Sequence, residues 1–569
     1  MNQAALYHGG TYPDVYAPDR YHLTFSFRAA SGDIRSCHVI YFHKNHMEET
    51  RKEQELTLQY ETGVSSVYTA TVAFRKPARY VQYCFRLTGN DGETIWYHAW
   101  GPVKSYPLEC YFEYAYANEV TVSQLPPVWS QGTVYYQIFP ERFRNGDPSN
   151  DPKDCMPWGS TPTPSNFMGG DLAGIRKSLD YLASLGVECI YLNPVFRAPS
   201  NHKYDTTDYY TVDPQFGTNE DLRALVKEAH KRKIRVILDA VFNHTGTGFF
   251  AFADILKNQE SSEYLEWYHI TAFPVTEKPE CYECFFGFEG MPKLDTGNGK
   301  VQEYLLKVLE FWVKEAGVDG YRYDVADELD ENFVIKIRDR LKRLNPDLVL
   351  IGETWAEGKR LLNGCGMDSI MNYSFRQAML DFFAERCIDA KELGVRLEMA
   401  LSRHPAEINA AMFNALDTHD TERFIDSCSH RQSSFRLAVV TQILFPGSPS
   451  IYYGDEAGMD GKNDPDCRKC MMWDNRPGEQ ELFQFYRTLI LLRKKHPAVR
   501  NGSFRTLTAR ERVYGFVREN EEEIIYVFVN DGNTDAEITE VLCGPVTLPA
   551  GGFRIICKKS ETITENIYG

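Results

Sequence analysis

The chain has 569 residues and a mass of 65.4 kDa, which at roughly 150 residues per domain predicts about three or four domains. Its 62 Lys and Arg stand against 79 Asp and Glu, and the net charge of −17 excludes the basic face that nucleic acid or an anionic membrane requires. Hydrophobic residues at 43% and charged residues at 25% fit a folded globular protein rather than a disordered one, and no run approaches the ~20 apolar residues of a membrane helix.

The opening MNQAALYHGG has neither a basic n-region nor an apolar h-region, so a cytoplasmic location is expected. Residues 1–125 then carry short runs rich in Tyr, Phe, Val and Thr: YHLTFSFRAA, SCHVIYFHK, SVYTATVAF and RYVQYCFRLT. Their partial two-residue alternation, broken by turns such as TGNDGET, predicts an N-terminal β-sandwich. The Pro pair and Gly of QLPPVWSQGT, residues 124–133, mark its end.

Over residues 126–500 the pattern changes to short apolar runs separated by stretches of helical period. The runs are TVYYQIFP (133–140), GVECIYLNP (186–194), IRVILDAVFNH (234–244), GVDGYRYDV (317–325), DLVLIGETW (347–355), MDSIMNY (367–373), MFNALDTHD (412–420) and SPSIYYGDE (448–456). Helical patterns such as NEDLRALVKEAHKRK and NFVIKIRDRLKRLN lie between most of them. Eight strand–helix units predict an α/β fold, a (β/α)8 TIM barrel. Residues 245–300 far exceed a usual βα loop and predict a subdomain inserted after the third strand, over the barrel mouth. RVYGFVREN, EEIIYVFVN and GFRIICKK return to β character, which gives a C-terminal β-domain over 501–569.

Several runs end in acids, amides or histidines. The third ends with Asp239, Asn243 and His244, the fourth with Arg322 and Asp324, the fifth with Glu353, and the seventh with His419 and Asp420. One such acid reads as a turn residue or helix cap. Four of eight strands ending this way read as an active site, because the C-terminal strand ends of a barrel converge on one face. Arg322 and Asp324 are two apart on a strand and share a face. A guanidinium beside Asp324 is expected to keep it ionised, as suits a nucleophile. Partial desolvation of Glu353 in its apolar strand is expected to raise its pKa, as suits a general acid. Two such carboxyl groups about 5–5.5 Å apart are the machinery of a retaining glycosidase. Asp420 and the two histidines would then hold sugar hydroxyls.

The motifs DAVFNH, GYRYDVADE, GETW and ALDTHDTERF, in that order, with VYYQIFPERF, MPKLDTGN and SPSIYYGDEAG, resemble the alpha-amylase family, glycoside hydrolase family 13. Within it the chain is similar to the neopullulanase, cyclomaltodextrinase and maltogenic amylase group. The resemblance spans essentially the full length, including the sandwich, which resembles carbohydrate-binding module family 34. It implies Asp324 as nucleophile, Glu353 as proton donor and Asp420 as transition-state stabiliser, with Arg322, His244 and His419 at the sugar just before the cleaved bond. It also implies that Asp464 and Arg468 bind the non-reducing-end glucose and that Tyr204 stacks on the same sugar. A homodimer in which the N-terminal domain lids the partner's cleft, favouring small oligosaccharides over whole starch granules, follows from the same resemblance. Asp327 and Asp295 depart from the group's usual Asn and add acids near the cleft.

The loop RFRNGDPSNDP places Asn145, Asp147, Asn150 and Asp151 together. Packed oxygen ligands suit Ca2+, while the same residues also favour turns. The relatives bind calcium with this loop plus a Gly and an Asp, which implies Gly169 and Asp171 as further ligands. The Cys-x-x-Cys pairs Cys281/Cys284 and Cys467/Cys470 lie 182 positions apart and read as unligated thiols; the fourteen cysteines are too sparse for a disulfide scaffold. Aromatic residues make up 13% of the chain, mostly as core, and Tyr204 and Trp355 are singled out as sugar platforms. The expected activity is a retaining alpha-glucan hydrolase acting on alpha-1,4 bonds of cyclodextrins, pullulan and short maltodextrins, with some transglycosylation. The alternatives are a cytoplasmic alpha-glucosidase on maltooligosaccharides and a non-catalytic carbohydrate-binding barrel.

Overall fold

The computed structural model describes residues 1–118, 124–473, 479–540, 544–559 and 562–569. The chain divides into two compact units. One comprises Met1–Pro126, Ile388–Asn409 and Asn501–Gly569, and the other Pro127–Cys387 and Ala410–Arg500.

In the first unit, β1 (Val15–Asp19), β2 (His22–Ala30), β3 (Ile34–His43), β4 (Lys52–Glu61), β5 (Ser65–Ala73), β6 (Arg79–Gly89), β7 (Thr94–His98) and β8 (Gly101–Val103) run in the order β1-β2-β5-β4-β3-β6-β7-β8. A further strand, β9 (Phe112–Tyr116), also pairs with β6. The sheet folds over itself, so that Phe25 and Phe27 of β2 pack on Tyr83 and Phe85 of β6 with ring centroids 4.8 and 4.9 Å apart. Alternate residues face this core, as the sequence period requires.

Residues Ser503–Tyr568 supply an antiparallel sheet, and the helix Ala390–Leu401 packs with it and with β4. Leu393, Leu397 and Leu401 of that helix are buried. Beside them the buried Glu398 accepts the Glu61 N–H at 2.8 Å and the Thr506 N–H at 3.1 Å, tying the two β regions to one carboxylate. Sequence periodicity alone places this helix among those of the barrel. The apolar face it carries is instead buried within the first unit.

The second unit holds eight parallel barrel strands: β10 (Tyr135–Ile138), β11 (Cys189–Leu192), β14 (Arg235–Ala240), β15 (Gly320–Tyr323), β16 (Val349–Gly352), β17 (Ser369–Ile370), β18 (Phe413–Ala415) and β19 (Ser448–Tyr452). A two-stranded ribbon, β12 (Phe196–Arg197) and β13 (Asp208–Val212), lies between β11 and β14 in the chain. Each barrel strand falls inside one of the eight apolar runs. The ring closes between β17 and β18 through a parallel bridge of Met371 with Phe413. Tyr135, Cys189, Tyr191, Ile237, Val349, Ile351 and Phe413 fill the interior. At Gly320 a Cβ would lie 2.2 Å from the Val349 carbonyl oxygen, so only glycine lets these neighbouring strands approach.

Helices end where chain chemistry stops them. Asn219–Lys231 starts on a capping box in which Thr218 and Asp221 each satisfy the other's backbone N–H. The insertion 245–300 is anchored by a bridge between His244 and Lys293 and contains the helix Phe250–Asn258.

Candidate active site

Arg322 is the organising group. It lies on β15, almost fully buried, with its guanidinium among carboxylates from three consecutive barrel strands. Nη1 donates to both oxygens of Asp239, at 2.9 and 3.0 Å, and to Asp324 Oδ1 at 2.8 Å. Nη2 makes an ion pair with Glu353 Oε2 at 2.9 Å, and Nε reaches Met371 Sδ at 3.4 Å. The two-residue spacing of Arg322 and Asp324 thus places both on one face, as a strand dictates.

Immediately after Asp324, Val325 takes a left-handed conformation, with φ 45° and ψ 47°. A β-branched residue is strained there by about 1–2 kcal/mol. The turn directs the Val325 N–H onto Glu353 Oε2 at 2.8 Å. Glu353 therefore has one oxygen held by an amide and a guanidinium.

Arg322 lies against Asp324 as the two-residue spacing predicts and favours its ionised form, but burial works against it. Burial pushes its carboxyl well above the usual carboxylate range. Arg322 opposes this, but it is shared with Asp239 and Glu353, and Glu353, Asp239 and Asp420 add repulsion. Asp420 is pushed up to about 7, first by burial and then by Glu353, although its side chain keeps 31% exposure to the cleft. Asp239, Asp324 and Asp420 lie close enough that the charge on one raises the cost of charge on the next.

Asp420 is held by Arg468 Nη2 at 3.3 Å and by His419 Nε2 at 3.0 Å. Arg468 also pairs with Asp464 at 3.0 Å and donates from Nε to the His419 carbonyl at 2.8 Å. Tyr204 is nearly buried, with its hydroxyl donating to Asp239 Oδ2 at 2.9 Å and its ring parallel to His419, centroids 5.5 Å apart. Burial, with Arg468 and Arg322 nearby, holds His419 well below its usual pKa and hence neutral.

His244 is also neutral, lowered to about 3 by burial, and its two ring nitrogens have no hydrogen-bond partner. Phe285 from the insertion stacks on it at 4.8 Å. Trp355 is 57% exposed and lies flat on Tyr373, rings 3.8 Å apart and 11° from parallel. Of the two unusual acids, Asp295 accepts the Gly297 N–H of its own turn at 2.9 Å, and Asp327 accepts from the Thr354 hydroxyl at 3.2 Å.

Sequence reasoning missed Gln137, Tyr191, Asn193, Phe285 and Met371 as neighbours of these groups. Gln137 left a trace as the single strongly polar residue within TVYYQIFP. Tyr191 and Met371 left none, because they read as ordinary core.

Two domain models match the chain: "Alpha amylase, catalytic domain" over residues 137–502 and "Alpha amylase, N-terminal ig-like domain" over residues 1–118. The chain belongs to the alpha-amylase family. It is 41% identical over 538 residues to a cyclomaltodextrinase of Thermoanaerobacter pseudethanolicus, covering 94% of this chain and 93% of that protein. It is 40% identical over 534 residues to neopullulanase 2 of Thermoactinomyces vulgaris, covering 93% and 91% respectively. A solved cyclomaltodextrinase superposes with a TM-score of 0.89 at 39% identity, covering 95% of this chain and 93% of that one. The protein is a glycoside hydrolase with the TIM barrel and N-terminal Ig-like domain of this alpha-amylase group.

In this alpha-amylase family member the loop after β10 gathers the oxygens that suit a hard cation. Asn145 Oδ1 and Asn150 Oδ1 are buried with no partner. Burial raises the Asp151 carboxyl, and Asp171 and Asp147 repel it further, while Asn145 Nδ2 donates to it at 2.8 Å. Gly169 has φ 79°, and a Cβ there would lie 2.4 Å from Asp151 Oδ1. Asp171 caps the following helix through the Gly174 N–H and accepts the Asp147 N–H at 2.7 Å. Orphaned buried oxygens beside a repelled carboxylate fit Ca2+. One sulfur of each Cys-x-x-Cys motif bonds to a separate backbone carbonyl, Cys281 to Pro274 and Cys467 to His419.

Proposed function

We propose that this chain is a retaining alpha-glucan hydrolase that cleaves alpha-1,4-glucosidic bonds of cyclodextrins, pullulan and short maltodextrins, with some transglycosylation. The observation that carries this reading is one buried guanidinium, Arg322, in contact with Asp239, Asp324 and Glu353 at the C-terminal ends of the barrel strands. Relatives named as cyclomaltodextrinase and neopullulanase, aligned over nearly the whole chain, support the substrate class.

In this mechanism Asp324 attacks the anomeric carbon while Glu353 gives its proton to the departing glycosidic oxygen. Water then attacks the glycosyl-enzyme, Glu353 takes a proton from that water, and Asp324 is released with retained stereochemistry. A sugar hydroxyl in place of water gives transglycosylation. The Arg322 contacts favour leaving the negative charge on Asp324 and Asp239. Asp420 faces the oxocarbenium-like transition state. His244, Arg322 and His419 bind the sugar before the cleaved bond, Asp464 and Arg468 bind the non-reducing-end glucose, and Tyr204 and Trp355 offer rings.

The loop of Asn145, Asp147, Asn150, Asp151, Gly169 and Asp171 holds a structural Ca2+, whose charge offsets the crowded carboxylates. The enzyme acts in the cytoplasm as a homodimer formed through the N-terminal domain, a state that size-exclusion chromatography with light scattering reads directly. No helix among the described residues is long and apolar enough to cross a membrane.

The test is product analysis on beta-cyclodextrin, pullulan, maltotriose and starch side by side. Release from the first three is expected, with Asp324→Asn lowering turnover at least about 10^4-fold and leaving the melting temperature within a few degrees. A purified protein that releases reducing sugar from none of them overturns the reading.

A further inference from the structure

Gln137 is fully buried on β10 and belongs to none of the acid contacts above. Its side-chain nitrogen donates to Asn193 Oδ1 at 3.0 Å and lies 2.8 Å from His419 Nδ1. An amide NH2 group only donates, so Nδ1 is the accepting nitrogen of that ring. The other side of the ring carries an independent constraint. Tyr191 and Tyr204 both direct their hydroxyls to Asp239 Oδ2, at 2.7 and 2.9 Å. With its proton committed there, the Tyr204 oxygen accepts from Asn193 Nδ2 at 3.0 Å and meets His419 Nε2 at 2.6 Å. His419 Nε2 also faces Asp420 Oδ2 at 3.0 Å. With Asp420 ionised, two acceptors on this side require a proton on Nε2.

Turning the Gln137 amide over sets its oxygen against Asn193 Oδ1. Turning both amides leaves the single Tyr204 proton facing Asp239 Oδ2, Asn193 Oδ1 and a bare His419 Nε2. The arrangement present leaves Gln137 Oε1 buried without a partner, the penalty of keeping the amide this way round.

We propose that Gln137 is a positioning residue that fixes neutral His419 as its Nε2–H tautomer, so that the ring presents a donor to Asp420 and to the sugar hydroxyl bound beside it. This rests on the hydrolase reading for its consequence in catalysis, but the tautomer itself does not depend on it. Burial near Arg468 and Arg322 keeps the ring neutral and so makes the choice of tautomer matter.

The experiment is NMR of the 15N-histidine-labelled full-length protein, with the His419 signals assigned by comparison with His419→Gln. In the wild type at pH 8.5, where Asp420 is ionised, Nδ1 is expected to be pyridine-like and Nε2 pyrrole-like. Gln137→Glu offers an acceptor instead of a donor and is expected to place a proton on Nδ1. Gln137→Met offers neither and is expected to give a mixture of tautomers. On maltotriose, kcat of Gln137→Met is expected to fall about tenfold with KM within about twofold, the loss of one hydrogen bond felt in the transition state. A pyrrole-like Nδ1 in the wild type overturns the proposal, as does a Gln137→Glu spectrum identical to the wild type. If Gln137→Glu does not fold, the wild-type spectrum decides. A protein inactive on every glucan but with the expected spectrum overturns the hydrolase reading and leaves the tautomer assignment standing.

Discussion

Replacing Asp420 by Asn removes one charge from the acid cluster, and the protein is expected to become more stable at alkaline pH while losing activity. Burial and Glu353 lift this carboxyl from 3.8 to about 7. A carboxyl raised in the folded state holds its proton more tightly there than in the unfolded chain. The stability it contributes is therefore fully present below about pH 4 and lost as pH rises through about 7. The interval from 3.8 to about 7 sets a ceiling of about 4 kcal/mol. With 31% of the side chain exposed, solvent screening brings this to about 1–2 kcal/mol, or about 1–3 °C in the melting temperature of the barrel unit. Arg468 keeps its 3.0 Å contact with Asp464 in the variant, so no buried cation is stranded. Thermal melts of both proteins at pH 5 and pH 8.5, at equal ionic strength, read the effect. Asp420→Asn should melt higher at pH 8.5, with the difference falling to about 40% of that value at pH 5. A variant that melts lower at pH 8.5, or a difference independent of pH, refutes the idea that this carboxylate is held against repulsion.

Chelation with EDTA should lower the melting temperature by several degrees, with Ca2+ restoring it; an unchanged melt, with no metal by elemental analysis, removes the calcium assignment. Trp355→Ala should raise KM for maltodextrins about five- to tenfold with a smaller effect on kcat, because it removes a ring face rather than a reacting group. Equal kinetics would show that the exposed face binds no sugar. Glu398→Ala should destabilise the first unit by about 2–3 kcal/mol in denaturant melts, since two buried backbone N–H groups lose their acceptor. A loss under about 0.5 kcal/mol would mean that water replaces the carboxylate.

The barrel was legible because each of its strands lies in an apolar run, and the polar ends of four runs marked the cleft. Arg322 and Asp324 were legible together because a strand repeats every two residues. The upward push on the Asp324 carboxyl was not, because it depends on burial and on Asp239, Glu353 and Asp420 arriving from other strands around one guanidinium. Val325 gave no warning of its left-handed backbone, since nothing in GYRYDVADE distinguishes it from a strand residue. Gln137 and Asn193 could be noticed as polar residues in apolar runs, but their roles need the facing ring of His419. The helix Ala390–Leu401 exposes a different limit. Amphipathic period reveals that Leu393, Leu397 and Leu401 are buried, and says nothing about which neighbour buries them.

That helix has a consequence for dissecting the enzyme. The segment Ile388–Asn409 interrupts the barrel's own sequence between β17 and β18, yet it folds with the two terminal β regions. A protein trimmed at residues 126 and 500 would retain this segment and lose the strands that cover Leu393 and Leu397, and Glu398 would have neither amide to receive. Such a fragment should expose a greasy helix and aggregate, whereas replacing residues 388–409 with a short hydrophilic bridge should give a catalytic barrel that stays in solution. The modular order of the gene and the modular order of the folded protein are therefore different, and deletion experiments on this enzyme need to follow the second.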